Sequence, residues 1–200
     1  MIKVLVVEDQ AMIRGAICAL LSLEDNIDVV AQAENGKQAK TLMAQHTIDI
    51  VLTDIEMPEV TGIELAEFIA DYNADIKTII MTTFSKVGYI KRSLQAGVKG
   101  FILKEAPSEE LVDTVNQVYN GRKVIDPELA ISALGDNDPL SDKERKALRL
   151  ASEGLKTGEI ANKLFLSEGT IRNYLSECIA KLNASNRVDA ARIAKQKGWL

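Results

Sequence analysis

The stretch Ile48-Asp49-Ile50-Val51-Leu52-Thr53-Asp54-Ile55-Glu56-Met57-Pro58 decides the fold. From Ile48 to Thr53 it is nearly continuously apolar and β-branched, which suits a strand buried on both faces of a parallel sheet. Asp54 stands directly after the run. Four similar runs, Ile2 to Val7, Ile27 to Ala33, Ile76 to Thr82 and Val98 to Leu103, are separated by segments that repeat apolar residues at helical spacing. Those segments cover roughly 11–22, 36–45, 62–72 and 86–96; Ile63, Ala66 and Ile69 show the period. A fifth helix over 108–120 follows Pro107, opens with Glu109 and Glu110 at its positive end, and stops at Asn120-Gly121. Five β-α units predict a doubly wound α/β domain over residues 1–121, in which ligands sit beyond the carboxyl ends of the strands.

Composition agrees with a soluble chain. Of 200 residues, 46% are hydrophobic and 26% charged, which excludes an extended disordered protein. No apolar stretch approaches the ~20 residues that span a bilayer, and no cationic segment with a long apolar one opens the chain. A cytoplasmic protein without a membrane partner is expected. Two cysteines, Cys18 and Cys178, exclude a disulfide scaffold and a zinc finger. The single histidine, His46, reads as an exposed helix-end residue.

Charge divides the chain. Residues 1–135 hold 12 basic and 20 acidic residues, a net of −8, whereas from Lys143 onward 12 basic residues face 6 acidic ones, a net of +6. The two halves prefer different partners. From Leu140 no strand-like run occurs, and four helical patterns fill the last 60 residues or so. The first opens with Ser141-Asp142-Lys143-Glu144, the spacing of a capping box. An all-α domain over 139–200 is predicted, joined to the first by a linker over 122–138 with a short helix from Pro127 to Leu134.

The strand ends gather reactive side chains. Glu8 and Asp9 follow the first run, Asp54 the third, Thr82 ends the fourth and Lys104 follows the fifth. In a doubly wound sheet these ends share one edge. Three carboxylates there repel one another unless a cation intervenes, and Mg2+, with its preference for oxygen ligands, suits them best. Singly each residue has a plainer account: Asp54 as a turn residue, Lys104 as a solvated lysine, Phe101 as core.

Jointly they are more specific. Glu8-Asp9, Asp54-Ile55-Glu56-Met57-Pro58 with Gly62, Thr82-Thr83, and Ala96-Gly97 leading to Phe101 and Leu103-Lys104 resemble the receiver domain of two-component response regulators, with its flavodoxin-like fold. The resemblance implies that Asp54 accepts phosphate from a sensor histidine kinase. It implies that Glu8, Asp9, Asp54 and the backbone carbonyl of Glu56 hold Mg2+, that Thr82 and Thr83 serve the phosphoryl-binding switch, that Lys104 neutralises charge, and that Phe101 changes rotamer. Two points depart from or add to the pattern: Glu105 follows Lys104 where many receivers have proline, and Gln10 has no assigned role.

The second half carries its own motif. Glu159-Ile160-Ala161, Leu164-Phe165-Leu166-Ser167 and Gly169 to Leu175 read as helix, turn, helix, with Ile160, Ala161 and Leu164 on one buried face and Ile171, Leu175, Ile179 and Leu182 on the other. Together with Leu140-Ser141, Glu144, Gly154 and Asn186-Arg187 this resembles the LuxR-type output domain of the NarL/FixJ subfamily. The resemblance implies base contacts by Arg172 and Asn173 near Ser176, and phosphate contacts by Thr170, Lys181 and Lys163. Phe165 stands where the turn commonly has glycine, at a steric cost of ~1 kcal/mol or more if left-handed. The last pattern, Arg187 to Gly198, places Val188, Ala191 and Ile193 near one another and resembles a pairing helix.

These resemblances imply a transcription regulator that forms a homodimer on phosphorylation and binds double-stranded promoter DNA, with RNA polymerase as a further partner. Its only reactions would be self-phosphorylation and self-dephosphorylation at Asp54. An aspartyl-phosphate phosphatase is disfavoured because Glu56 stands where such enzymes place a second Asp. A nucleotide-binding fold is disfavoured because Glu8-Asp9, not a Gly-rich loop, follows the first strand. A phosphorylation-independent binding module is disfavoured by the full set of acidic, Thr and Lys positions.

Overall fold

The first unit alternates strand and helix: β1 (Ile2–Val7), α1 (Ala11–Leu21), β2 (Ile27–Ala33), α2 (Gly36–Met43), β3 (Ile50–Thr53), α3 (Gly62–Tyr72), β4 (Lys77–Thr82), α4 (Val87–Gln95), β5 (Gly100–Leu103) and α5 (Ser108–Tyr119). The second is helical, with α6 (Asp142–Ser152), α7 (Thr157–Leu164), α8 (Glu168–Lys181) and α9 (Arg187–Lys197). The computed structural model describes residues 1–83, 87–125 and 138–200, with Val87 and Gly88 described by backbone only. The linker helix expected from Pro127 to Leu134 lies outside the described residues.

All strand pairs are parallel, in the order β2-β1-β3-β4-β5. Successive residues of a strand feed opposite faces, and helices cover both. Val4, Val6, Ile50, Leu52 and Ile79 pack with α1 and α5 residues such as Ile17, Leu21, Leu111 and Val115. On the other face Leu5, Val7 and Val51 meet Ala39, Met43, Leu65 and Ile69, while Ile80 and Phe101 meet Ile63, Ile90 and Ala96. Burial on both sides is why the strands read as unbroken apolar runs. β3 starts two residues later than its apolar run because the Asp49 carboxylate accepts a bond from the Lys3 amide at 2.8 Å. After α5 the chain returns to the sheet: Val124 bridges Gly100, and its carbonyl accepts from the Phe101 amide at 2.8 Å. The first residues of the expected linker thus cover the edge of β5.

The helical unit has a core of its own, built from Leu148, Ile160, Ile171, Leu175, Cys178 and Ala194. Ser141 caps α6 in a reciprocal box with Glu144, as its spacing predicts. Trp199 and Leu200 fold back onto this core. Phe165 ends α7 in the left-handed conformation, φ 55° and ψ 44°, so the turn keeps its shape without glycine, and its ring is exposed.

One glycine is sterically required beside the strand ends. A Cβ on Gly62 would stand 1.9 Å from the Asp54 backbone oxygen, because the loop between β3 and α3 doubles back and the Gly62 amide bonds Ile55 O at 3.0 Å. Thr61 and Glu64 form the capping box that starts α3 there. Gly62→Ala is therefore expected to destabilise the receiver unit by about 1–3 kcal/mol through backbone displacement. A fall in the midpoint of denaturant unfolding measures it; an unchanged midpoint would contradict the close approach.

Candidate functional site

Strand register brings the charged residues together. Val7 is paired with Thr53, so Glu8 and Asp54 leave β1 and β3 side by side, and the Asp54 amide bonds Val7 O at 3.0 Å. Thr82 is paired with Leu103, and the Lys104 amide bonds Thr82 O at 2.8 Å, which carries Lys104 to the same edge. The reversal of strand order at β1 and β3 opens the crevice there.

Within the crevice, Lys104 Nζ lies 2.6 Å from Glu8 Oε2 and 3.1 Å from Asp54 Oδ2. Glu8 is fully buried and Asp54 is 6% exposed. The other oxygen of Asp54 accepts from the Ile55 amide at 2.7 Å, and Glu8 Oε1 accepts from the Gln10 amide at 3.2 Å. Arg14, one turn into α1, donates to the Glu8 carbonyl. Oxygens of Glu8, Asp9 and Asp54 lie within 4.8 Å of one another.

Burial pushes the Glu8 and Asp54 carboxyls above their ordinary pKa values, and Lys104 offsets this only in part. Burial alone would lower the Lys104 ammonium, but Glu8 and Asp54 outweigh it and raise its pKa. One ammonium therefore does not balance the carboxylates around it. With Glu8 and Asp54 buried, Asp9 exposed beside them and acceptor oxygens in excess of the one ammonium, the cluster has the donor chemistry of a hard divalent cation site, and Glu8, Asp9 and Asp54 fit Mg2+.

The remaining predicted receiver residues are distributed differently. Thr82 is buried at the end of β4 and Thr83 is exposed just beyond it. Phe101 is buried in the cluster of Ile55, Ile63, Tyr89 and Ile90. The Glu56 side chain accepts a bond from the Tyr89 hydroxyl at 2.8 Å. Sequence reading missed Tyr89 because it lies 33 positions from Glu56 and outside the motif that contains Glu56.

In the helical unit Arg172, Asn173 and Ser176 are exposed along α8, next to its N-terminus, where Ser167 caps the Thr170 amide at 3.1 Å. Arg172 stays close to Glu168, with 3.9 Å between charges that are both largely in solvent. Lys163 is exposed on α7. Lys181 is differently placed: its ammonium lies 2.8 Å from both oxygens of the buried Glu144, which ties α8 to α6. That contact raises the Lys181 pKa; burial pushes Glu144 up, but Lys181 and Ser141 outweigh it. Arg145, also buried, binds Asp138 and Asp142 at 2.6 Å each. On α9, Ala191 is buried and Ile193 half-buried against the core while Val188 is exposed, and Val188 and Ala191 line one pocket with Ala151 and Gly154.

Comparison with known proteins accounts for both units. Residues 4–116 match the response regulator receiver domain, and residues 138–194 match the bacterial regulatory proteins of the luxR family. The transcriptional regulatory protein DesR of Bacillus subtilis is 42% identical over 199 residues, covering 100% of this chain and 99% of that one. The DNA-binding transcriptional activator DevR/DosR of Mycobacterium tuberculosis is 31% identical, covering 98% and 95%. Among solved structures, the response regulator ChrA of a heme-sensing two-component system matches with a TM-score of 0.57 at 32% identity, over 100% of this chain and 98% of that one. With a receiver domain followed by a LuxR-type DNA-binding domain, the chain belongs to the response regulators that act as transcriptional regulators of two-component systems.

Proposed function

We propose that Asp54 is the phosphoacceptor of this regulator, that a sensor histidine kinase supplies the phosphate, and that phosphorylation promotes homodimerisation and promoter binding in the cytoplasm. The observation that carries this reading is the Lys104 ammonium set between Glu8 and Asp54 beside a third carboxylate. Glu8, Asp9, Asp54 and the Glu56 carbonyl would hold Mg2+, which offsets charge in phosphoryl transfer. An Asp54 carboxylate oxygen attacks phosphorus in line as the bond to the donor breaks. Lys104 already bonds that carboxylate and neutralises the added charge, while the Thr82 hydroxyl bonds a phosphoryl oxygen. Thr83 and Phe101 belong to the switch that follows. The acyl phosphate formed at Asp54, and hydrolysed by water to the carboxylate and inorganic phosphate, is the protein's own modification, and no other substrate is turned over.

In the output domain Arg172 and Asn173 read bases from the first turns of α8, with Ser176 beside them and Thr170 and Lys163 on phosphates. Lys181 reaches a phosphate only from its bond to Glu144. RNA polymerase is a further partner of the promoter-bound dimer. No helix of the described residues is long and apolar enough to cross a membrane.

Acetyl phosphate with Mg2+ is expected to form one acid-stable, base-labile acyl phosphate, read as an added mass on the intact protein. Asp54→Asn and removal of Mg2+ by chelation should each abolish it; persistent labelling of the variant would refute the assignment.

The raised pKa values of Asp54 and Glu8 give a sign to pH dependence. Their contribution to stability is full below the ordinary carboxylate pKa and is lost as pH rises through the raised folded values. Metal-free Asp54→Asn should therefore unfold at higher urea than the parent at neutral pH and lose that advantage in acid. Mg2+ at about a hundredfold excess over its Kd should stabilise the parent by about 2.7 kcal/mol and the variant by less. Equal gains in both proteins would contradict the cluster's role.

Arg172→Ala should weaken binding to cognate promoter fragments by about tenfold or more, as loss of a bidentate base contact does. Binding to unrelated DNA should change little, and fluorescence anisotropy distinguishes the two. Equal loss on both DNAs would make Arg172 a phosphate contact instead.

A further inference from the structure

The backbone of the loop from Ile55 to Thr61 bonds to itself, while Met57 and Val60 pack into the core beside α2 and Glu59 pairs with Lys37 at 3.6 Å. The Met57 amide bonds Ile55 O at 3.2 Å, the Val60 amide bonds Pro58 O at 2.8 Å, and the Gly62 amide bonds Ile55 O at 3.0 Å. Tyr89, in the first turn of α4, reaches this loop from outside: its hydroxyl donates to Glu56 Oε1 at 2.8 Å. The Tyr89 ring is 4% exposed and packs in the cluster that holds Ile55, Ile63, Ile90 and Phe101. Its backbone carbonyl accepts from the Ser93 hydroxyl at 2.7 Å, one turn along α4.

A phenylalanine would fill the same apolar space. The hydroxyl adds a directed bond to an ionised acceptor, which is stronger than a bond between neutral groups. That acceptor belongs to the residue two positions after Asp54, whose backbone carbonyl is among the proposed Mg2+ ligands. Groups that orient a ligand from behind tune a metal site nearly as much as the ligands do. We propose that Tyr89 is a positioning residue for the carboxylate site: by holding the Glu56 side chain it fixes the loop for cation binding and joins that binding to the placement of α4. The coupling runs both ways, since any event that moves α4 then changes cation affinity by the same factor.

This inference rests on Mg2+ binding at Glu8, Asp9 and Asp54, and the experiment separates the two. Unphosphorylated full-length protein is titrated with Mg2+ and followed by calorimetry and amide NMR. Tyr89→Phe keeps the ring and is expected to weaken Mg2+ binding about fivefold. In a Glu56→Gln background, where a neutral amide oxygen still accepts, Tyr89→Phe should weaken binding by a smaller factor; in a Glu56→Ala background it should have no further effect. Amide shifts in α4 should respond to Mg2+ in the parent and lose that response in Tyr89→Phe. A purely structural hydroxyl would lower unfolding stability equally with and without Mg2+ and leave affinity unchanged, and that result overturns the proposal while leaving the cation site standing. Absence of Mg2+ binding in the parent, or binding unaffected by Asp54→Asn, overturns both.

Discussion

A lysine ammonium held between two carboxylates at the end of an apolar sheet is the interaction around which the receiver unit is organised. Lys104, Glu8 and Asp54 are buried or nearly so, with separations of 2.6 and 3.1 Å. Removing ions from water is expensive, and the attraction between them repays it only with close geometry and further hydrogen bonds. The Ile55 and Gln10 amides supply such bonds. The compensation is incomplete, since burial still holds both carboxyls above their ordinary pKa values. The site is therefore left with uncompensated negative charge, the condition under which a divalent cation gains most by binding.

The sheet makes that arrangement affordable. Glu8 and Asp54 each sit one position beyond a strand paired on both sides, and Lys104 sits one position beyond the edge strand β5, whose register is set by Thr82 against Leu103. Their backbones are thus positioned by the core, and the electrostatic cost falls on side chains alone. The helical unit solves a related problem at Glu144, whose carboxylate is buried among α6 and α8, caps the Ser141 amide and binds Lys181. There the pairing is complete, and the Glu144 pKa falls below its ordinary value although burial pushes the other way. One buried carboxylate is fully paired and architectural; the cluster at the sheet edge is underpaired and open to chemistry.

This contrast also explains what was legible in the sequence. Strands were legible because two-sided burial writes a continuous apolar run, and the acidic cluster because it follows those runs directly. Asp49 shows the limit: it interrupts the run before β3 to bond the Lys3 amide, a pairing across 46 positions with no local mark. The same holds for Tyr89 with Glu56, for Lys181 with Glu144, and for Val124 along β5. The resemblance makes Lys181 a phosphate contact, and nothing local announces that its ammonium also binds a carboxylate 37 positions away on another helix. On α9, helical spacing places Val188 and Ala191 together, and they do line one pocket, but the spacing does not show that Ala191 is buried and Val188 exposed. The residue type of Phe165 argues against a left-handed turn, yet the chain adopts one there, φ 55° and ψ 44°, a conformation whose steric cost no local pattern announces.

The cluster that holds Phe101 gives a physical route from the carboxylates to a surface. Ile55, bonded through its amide to the Asp54 side chain, lies in that cluster with Ile63 of α3, Ile90 of α4 and Phe101 of β5. Close-packed side chains do not deform continuously; they exchange one arrangement for another. A dianion at Asp54 would add oxygens that compete with Asp54 itself for the Ile55 amide and for Lys104. Any resulting displacement of Ile55 acts on neighbours that reach α4 and β5 with little free volume to absorb it. Under the proposed modification of Asp54, a link to partner choice through this cluster would reside in packing as much as in charge, with Lys104 placing the added charge and the Ile55 cluster passing the displacement to α4 and β5.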